Sequence, residues 1–347
     1  MGELPENLFL ILVIGALSLI LLQVVIRWWQ ESRYTFRDKT ILITGGSRGL
    51  GLVMAHQLVQ QGARVAICAR DEAELERAKL QLKDCFTLIC DVTELPQVEQ
   101  MIQEVTEHFG HIDVLINNAG IIQVGPFETM TLEDYDAAMK LHFWAPLYTT
   151  FAVLATMRHK KAGRIVNISS IGGKISVPHL LPYSASKFAL VGLSEGLRSE
   201  LAQDGIKVTT VCPGLIRTGS TENAYFKGQH RAEYTWFAIS DSLPILSMSA
   251  EAVARKILAG CRRGDSEIIT SLPAIIGIRF HGLFPGLTSD ILSLVNRFLP
   301  KNGGIGSDQV LGKDSHSPLT SSPLTALSQR AAQQNNQLTP EEIKELN

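Results

Sequence analysis

Tyr183 and Lys187 stand four residues apart in Tyr183-Ser184-Ala185-Ser186-Lys187, a spacing that puts both side chains on one face of a helix. A free phenol titrates near ~10, too high for an efficient base at neutral pH, and an ammonium one turn away would stabilise the phenolate. Lys187 would therefore tune Tyr183. Thirteen residues upstream, Ser170 closes the run Val166-Asn167-Ile168-Ser169-Ser170. At the tip of a strand facing the same crevice, its hydroxyl can hydrogen-bond a substrate oxygen as charge develops there. It would act as a polariser, not a nucleophile. A Tyr and Lys at this spacing are more often surface decoration, so the reading depends on what accompanies them.

The companion feature is Thr44-Gly45-Gly46-Ser47-Arg48-Gly49-Leu50-Gly51, set between an apolar β-branched run and the helical pattern of Leu52–Leu58. Glycines there let the chain turn sharply and approach a pyrophosphate, held by free N–H groups at the positive end of a helix. A glycine cluster alone can be a turn; its position between the first strand and the first helix makes it a dinucleotide site. Where an acidic residue would hold the ribose hydroxyls of NAD, at the end of the second strand, the sequence has Ala69 followed by Arg70. Arg48 and Arg70 are expected to converge on the 2′-phosphate of NADP, for which guanidinium is well shaped, against the alternative of two solvated surface arginines. Asp91, with Val92 beside it, ends the third strand, where it can meet the adenine amine or cap a helix.

These side chains need a scaffold that brings strand ends together. Apolar runs at Ile41–Thr44, Val65–Cys68, Phe86–Cys90, Val114–Ile116, Arg164–Ile168, Val208–Val211 and Glu267–Ile269 alternate with helical segments, which predicts an α/β fold with a doubly wound, parallel, seven-stranded Rossmann sheet. The catalytic domain is placed at 39–272, with a substrate loop at 215–247 whose irregular pattern suits a cover over the strand ends. Its 45 % hydrophobic content supports a sizeable core, and a net charge of -2 gives no electrostatic reason to expect nucleic-acid binding. The five cysteines form no C-x-x-C pair, so neither a disulfide framework nor a metal site is indicated.

Taken together, T-G-x-x-x-G-x-G at 44–51, N-N-A-G at 117–120, Ser170, Y-x-x-x-K at 183–187 and Pro213-Gly214 resemble the short-chain dehydrogenase/reductase family, over about Lys39 to Thr270. The resemblance implies an NADP(H)-dependent oxidoreductase interconverting a carbonyl and an alcohol. It implies that Asn117 to Gly120, including Asn118 and Ala119, support the sheet and line the adenine ribose. Lys187 would also bind the nicotinamide ribose, and Pro213, Gly214, Ile216 and Thr218 would meet the carboxamide end. It further implies a homodimer or homotetramer through the segments Thr131–His159 and Tyr183–Gln203. One position departs from the pattern: His142 stands where the family has a fourth catalytic residue, an asparagine. That asparagine's part is attributed largely to its main chain, and Pro146, lacking an N–H, would leave the His142 carbonyl free for a water in the proton relay.

Upstream of the domain, after a short segment 1–7, residues 8–26 form nineteen uncharged residues, a length that spans most of a ~30 Å hydrocarbon layer as a helix. A transmembrane helix is expected there. A cleaved signal peptide is the rival, but Glu3 and Glu6 precede the run and no small-x-small site follows it. Arg27, Arg33, Arg37 and Lys39 in and just beyond the linker 27–38 place the domain on the cytoplasmic side of a single-pass protein. The apolar segment 273–299 is either a cover for the core and pocket or a second membrane contact admitting a hydrophobic or lipid-like substrate. Residues 300–347, rich in Gly, Ser, Gln and Asn, are expected to form a flexible tail. A membrane-tethered NADP-binding sensor or scaffold is the competing function, with His142 as its argument. An α/β-hydrolase using Ser170 would lack G-x-S-x-G and leave the glycine loop unexplained.

Overall fold

The computed structural model describes residues 31–320 and 325–345, with Ile14, Gly15, Ser18, Leu22, Val24, Val25, Ile26 and Trp29 before them. Seven strands form one parallel sheet: β1 (Thr40–Thr44), β2 (Arg64–Ala69), β3 (Cys85–Ile89), β4 (Val114–Asn117), β5 (Gly163–Ile168), β6 (Ile206–Cys212) and β7 (Glu267–Ile269), in the order β7-β6-β5-β4-β1-β2-β3. All seven were legible as apolar runs, with ends displaced by a residue or two. Parallel strands are covered on both faces, and β1 is buried throughout. Its Ile41 and Ile43 face a core built with α1 (Gly49–Gln60), α2 (Glu72–Leu82) and, later in the chain, Val253 and Ile257. Leu42 faces the opposite core with Val98 of α3 (Leu95–Phe109) and Met157.

The long helical segment after β4 is not continuous. It runs as α4 (Leu132–Met139), a π turn over Lys140–Trp144 and α5 (Ala145–Lys160). Helix α6 (Leu181–Leu201) then carries Tyr183 and Lys187 back beneath the strand ends. A buried polar chain ties these parts together. Asn117 on β4 donates to Asn167 Oδ1 at 2.8 Å and accepts from Thr149 Oγ1 of α5 at 2.7 Å; Asn167 donates to Ser194 Oγ of α6, which also accepts from Thr210 of β6. Both asparagines are 3 % exposed or less, so each bond is made where water cannot replace it.

The substrate loop has more structure than its pattern indicated: a strand at Leu215–Arg217, a strand at Tyr225–Phe226 and α7 (His230–Ser242), which carries its own small core of Phe226, Tyr234 and Phe237. After it, α8 (Ala250–Arg263) precedes β7, and the apolar segment forms α9 (Leu272–Leu283) and α10 (Pro285–Asn296). These last two bury only Ala274 and Thr288 while Ile276, Leu283, Leu287 and Leu294 are exposed. They cover little of the core.

The described part of the linker docks on the domain, with Phe36 1 % exposed in the core and Glu31 paired with Arg262 and Arg263. One segment differs from expectation. The tail expected to be flexible after Pro300 is folded over its described residues. Val310–Leu311 pairs with Tyr225–Phe226, and α11 (Ala326–Gln334) packs on α7. Its ordering comes from hydrogen bonds to distant loops, which composition does not reveal. The expected transmembrane span falls mostly outside the described residues, among which no helix is long and apolar enough to cross a membrane.

The buried asparagine chain gives the first prediction. Asn117→Ala leaves Asn167 Oδ1 without its donor, at about 1–3 kcal/mol for a buried polar group left unsatisfied, while Thr149 Oγ1 keeps the Ala145 and Pro146 carbonyls. The urea midpoint is expected to fall with an unchanged slope; an unchanged midpoint would show that the chain does not hold the sheet to its helices.

Candidate active site

At the carboxyl edge of the sheet, the turn after β1 and the turn after β4 part to opposite faces, opening a crevice. Gly45 (φ +63) turns there, and a Cβ at this position would lie 2.8 Å from Ala119 Cα. Asn118 secures the approach: its Nδ2 donates to the Thr44 and Gly45 carbonyls at 3.1 and 2.9 Å, while the Asn118 and Ala119 N–H groups donate to Thr44 Oγ1. Arg48 is extended before α1 and supplies no side-chain cap, which leaves the helix amides for another acceptor. Val92 is buried, near Thr44 and Ala119.

The two arginines do not converge as a bare pair. Arg48 donates to Glu74 Oε1 at 2.7 Å, with Ser47 Oγ on the other carboxylate oxygen, and Arg70 lies 3.9 Å from Asp91. Glu74 arrives from α2, 26 residues beyond Arg48, a partner that only the packing of α2 supplies. Asp91 also accepts from Thr93 N and Oγ1 within its own turn; it caps no helix, since Glu94 stands at the N-cap of α3. Pro213 accepts from Ile171 N at 2.7 Å, holding its loop beside Ser170; Gly214 lies against Ser271, Ile216 accepts from Thr218 N, and Thr218 is buried.

The structure brings Ser170, Tyr183, Lys187 and His142 together. Ser170 Oγ accepts from Gly172 N at 3.0 Å, and both it and the Tyr183 ring lie within 3.5 Å of the point where a Cβ on Gly172 would stand. Lys187 is 4 % exposed; its Nζ donates to the Ile168 carbonyl at 2.8 Å and lies 5.6 Å from the centre of the Tyr183 ring. Burial lowers the Lys187 pKa to about 7 and raises that of Tyr183, an effect the neighbouring Ser170 hydroxyl partly offsets. This corrects the expected acidification of the phenol by the ammonium: the amine is itself desolvated, and burial dominates both groups.

His142 is almost wholly buried and its pKa is held well below the ordinary histidine value, by burial first and Lys187 second. Its Nε2 accepts from Ile121 N at 3.1 Å, so the proton sits on Nδ1, which faces Ser186 Oγ at 2.7 Å. The neutral ring thus braces the β4 turn against α6. Its backbone lies in the π turn, where the Ala145 N–H donates to the Lys140 carbonyl five residues back. The wider turn, and not Pro146 alone, decides which carbonyls are free, a bulge common at functional sites.

Two further His–Glu pairs are formed by residues from separate elements. His179 Nδ1 contacts Glu233 Oε1 at 2.8 Å, and Glu222 accepts from Tyr234 OH and faces His316 Nε2. A cleft of about 340 Å³ lies next to His179, bordered also by Phe127, Val177, Leu181, Leu292 and Asn296.

A doubly wound sheet with a glycine turn at its switch point and a serine, tyrosine and lysine at the end of its fifth strand defines a dinucleotide-dependent oxidoreductase scaffold. Residues 39–227 match the family described as short chain dehydrogenase, and the chain belongs to it. The chain is 30 % identical over 299 residues to dehydrogenase/reductase SDR family member 7B of Bos taurus, covering 83 % of this chain and 90 % of that protein. Among solved structures, a short-chain dehydrogenase from Streptomyces avermitilis superposes with a TM-score of 0.64 at 30 % identity, over 75 % of this chain and 99 % of that one. Levodione reductase gives 0.59 at 26 % identity, over 67 % and 96 %. The family uses nicotinamide cofactors, NAD(H) or NADP(H), and the glycine cradle, where a Cβ would strike backbone, fits a closely approaching phosphate.

The depressed Lys187 pKa has a measurable consequence. Because the folded state favours the neutral amine, the unfolded chain binds the extra proton between pH ~7 and ~10.4, and stability rises with pH across that window. The difference in unfolding free energy between wild type and Lys187→Met is expected to move in favour of wild type by about 1.4 kcal/mol per pH unit there. A flat or falling difference would mean that the amine keeps its ordinary affinity for protons.

Proposed function

We propose that this protein is an NADP(H)-dependent oxidoreductase that interconverts a carbonyl and an alcohol on a hydrophobic, lipid-like substrate, with Tyr183 as the general acid/base. The observation that carries the reading is the convergence of the Ser170 hydroxyl, the Tyr183 phenol and the Lys187 amine at the end of β5. Bound in the crevice, a nicotinamide would supply or accept the hydride. Ser170 holds the substrate oxygen, and Tyr183 passes a proton to it in reduction or takes one in oxidation. Burial keeps the phenol protonated, which suits the reducing direction. Lys187, titrating near neutrality, can restore that proton, and the main chain of His142 is the proposed station for a relay water.

NADP(H) is preferred over NAD(H) because β2 ends in Ala69 and Arg70 rather than an acid, with Arg48 in the glycine turn. Ser47, Gly49, Leu50 and Gly51 would hold the pyrophosphate side, Asn118, Ala119 and Gly120 the ribose, and Ile216 and Thr218 the carboxamide. The lipid-like substrate is supported by the exposed apolar residues of α9 and α10, and by Leu292 of α10, which borders the cleft with Phe127 and Leu181. The same surface, the uncharged run at 8–26 and the basic residues after it support a single-pass membrane protein with its domain on the cytoplasmic side. A homodimer or homotetramer through α4–α5 and α6 completes the reading.

Tyr183→Phe is expected to lower NADPH-dependent turnover across a panel of long-chain and polycyclic carbonyls by about 10²–10⁴, the usual general-acid contribution, with NADPH affinity retained. Equal background turnover in both proteins would favour the sensor or scaffold. His142→Asn is expected to change turnover by less than about tenfold, since the ring braces the site without moving protons; a rise of about a hundredfold would show that His142 has weakened the relay.

A further inference from the structure

The polar tail reaches back across the molecule to the glycine turn. The Gly49 N–H, first in α1, donates to the Asn335 carbonyl at 2.9 Å, so the helix end that would attract an anion already has an acceptor. Asn336, in the left-handed region (φ 57), donates through Nδ2 to the carbonyls of Ser47 at 2.8 Å and Glu74 at 3.0 Å, and accepts from Arg77 Nε at 2.8 Å. Gln337 stands so close that a Cβ on Gly49 would lie 2.8 Å from its Nε2.

On the far side of the crevice, Asn335 Nδ2 donates to the Thr218 carbonyl at 3.3 Å, and Asn223 Nδ2 donates to both Gln337 O and Gln337 Oε1 at 2.9 Å. Helix α11 is anchored behind this strap. Ala332 packs where a Cβ on Gly219 would be 2.2 Å from its Cα, and Ser328 donates to Asp241 at 3.0 Å. Asn335, Asn336 and Gln337 are each 7 % exposed or less. The strap therefore bridges the two loops between which a dinucleotide phosphate would enter, and it does so through a direct bond that leaves no space beneath it.

We propose that Asn335, Asn336 and Gln337 form an autoinhibitory plug: they compete with the dinucleotide phosphate for the amino end of α1, and the cofactor binds only as the strap lifts. This rests on the reading of the crevice as a dinucleotide site. A clamp closing over bound cofactor would need its contacts outside the ligand, whereas the Gly49 N–H can serve the Asn335 carbonyl or a phosphate oxygen but not both well. Ser47 and Arg48, both turned to Glu74 beneath the strap, would be released in the same movement. The apparent cofactor affinity is then reduced by the fraction of molecules with the strap open.

The test uses the full chain. Asn336→Gly keeps the left-handed backbone while removing the three side-chain bonds, and Asn223→Ala removes the two on the opposite side. NADPH fluorescence is expected to show faster association and about tenfold tighter binding for Asn336→Gly, the scale of one or two lost hydrogen bonds, with a change in the same direction for Asn223→Ala. Hydrogen exchange of amides 331–337 in wild type is expected to accelerate when NADPH is added. Equal affinities and rates in all three proteins, weaker binding in the variants, or added protection of 331–337 on binding would overturn the plug alone. Absence of NADPH and NADH binding from all three would overturn the dinucleotide reading, and the plug with it.

Discussion

A Cβ on Gly51 would lie 2.2 Å from the Gly45 carbonyl oxygen and 2.6 Å from Asn118 Nδ2. No side chain fits that gap, and the whole carboxyl edge of the sheet is arranged around it. With glycine at this point, α1 can start directly against the turn after β1, and Asn118 can bind the same turn from the far side of the switch point. The two halves of the sheet are thereby fixed to one another at the one place where their loops diverge. The crevice is a consequence of that fixation. So is the exposure of the amino end of α1 to whatever acceptor lies across it.

The catalytic cluster shares a second constraint, which is a low dielectric common to all its members. Lys187, Tyr183 and His142 are packed against each other where water is largely excluded, and for each of them burial is the largest influence on its proton affinity. The direction is the same in chemical terms: the amine, the phenol and the imidazole are all pushed toward their uncharged forms. Such a cluster is cheap to hold closed and responds strongly to a charge placed near it. A cationic ring entering beside Tyr183 would act on the phenol in a medium where screening is weak. The acidification that the Y-x-x-x-K spacing suggests would then belong to the assembled complex rather than to the protein by itself.

What could be read from the residues alone follows from how local each signal is. The seven strands, the glycine turn and the Tyr–Lys pair are encoded within windows of a few residues, by apolar runs, backbone freedom and helical spacing. Glu74 could not be seen beneath Arg48, because only the packing of α2 on α1 places it there. Nor could the two roles of the His142 ring be inferred, since they depend on Ile121 and Ser186 from separate elements. The tail was misjudged for the same reason in a stronger form: Asn336 meets Ser47 across 289 positions. Its polar composition suggests an inability to bury apolar surface, whereas it is ordered by hydrogen bonds with the backbone of distant loops that composition cannot supply.

The two segments at the end of the chain therefore reverse what their compositions suggest. Helices α9 and α10 are apolar and remain exposed, with Leu283 at 74 % and, just beyond them, Phe298 at 83 %. The stretch from Asn335 to Gln337 is polar and is buried. Burying one such large apolar side chain contributes about 1.5–3 kcal/mol, so leaving several in water is a cost that an apolar surface such as a bilayer would remove, as the membrane reading supposes. A polar strap gains nothing from that environment and loses its backbone partners as soon as it leaves the crevice. The two segments are thus drawn to different surroundings by the same requirement that each group be matched by its medium. The connection between them runs through Val310–Leu311 on the substrate-loop strand Tyr225–Phe226, so the same loop that packs α11 also holds the chain leading to it.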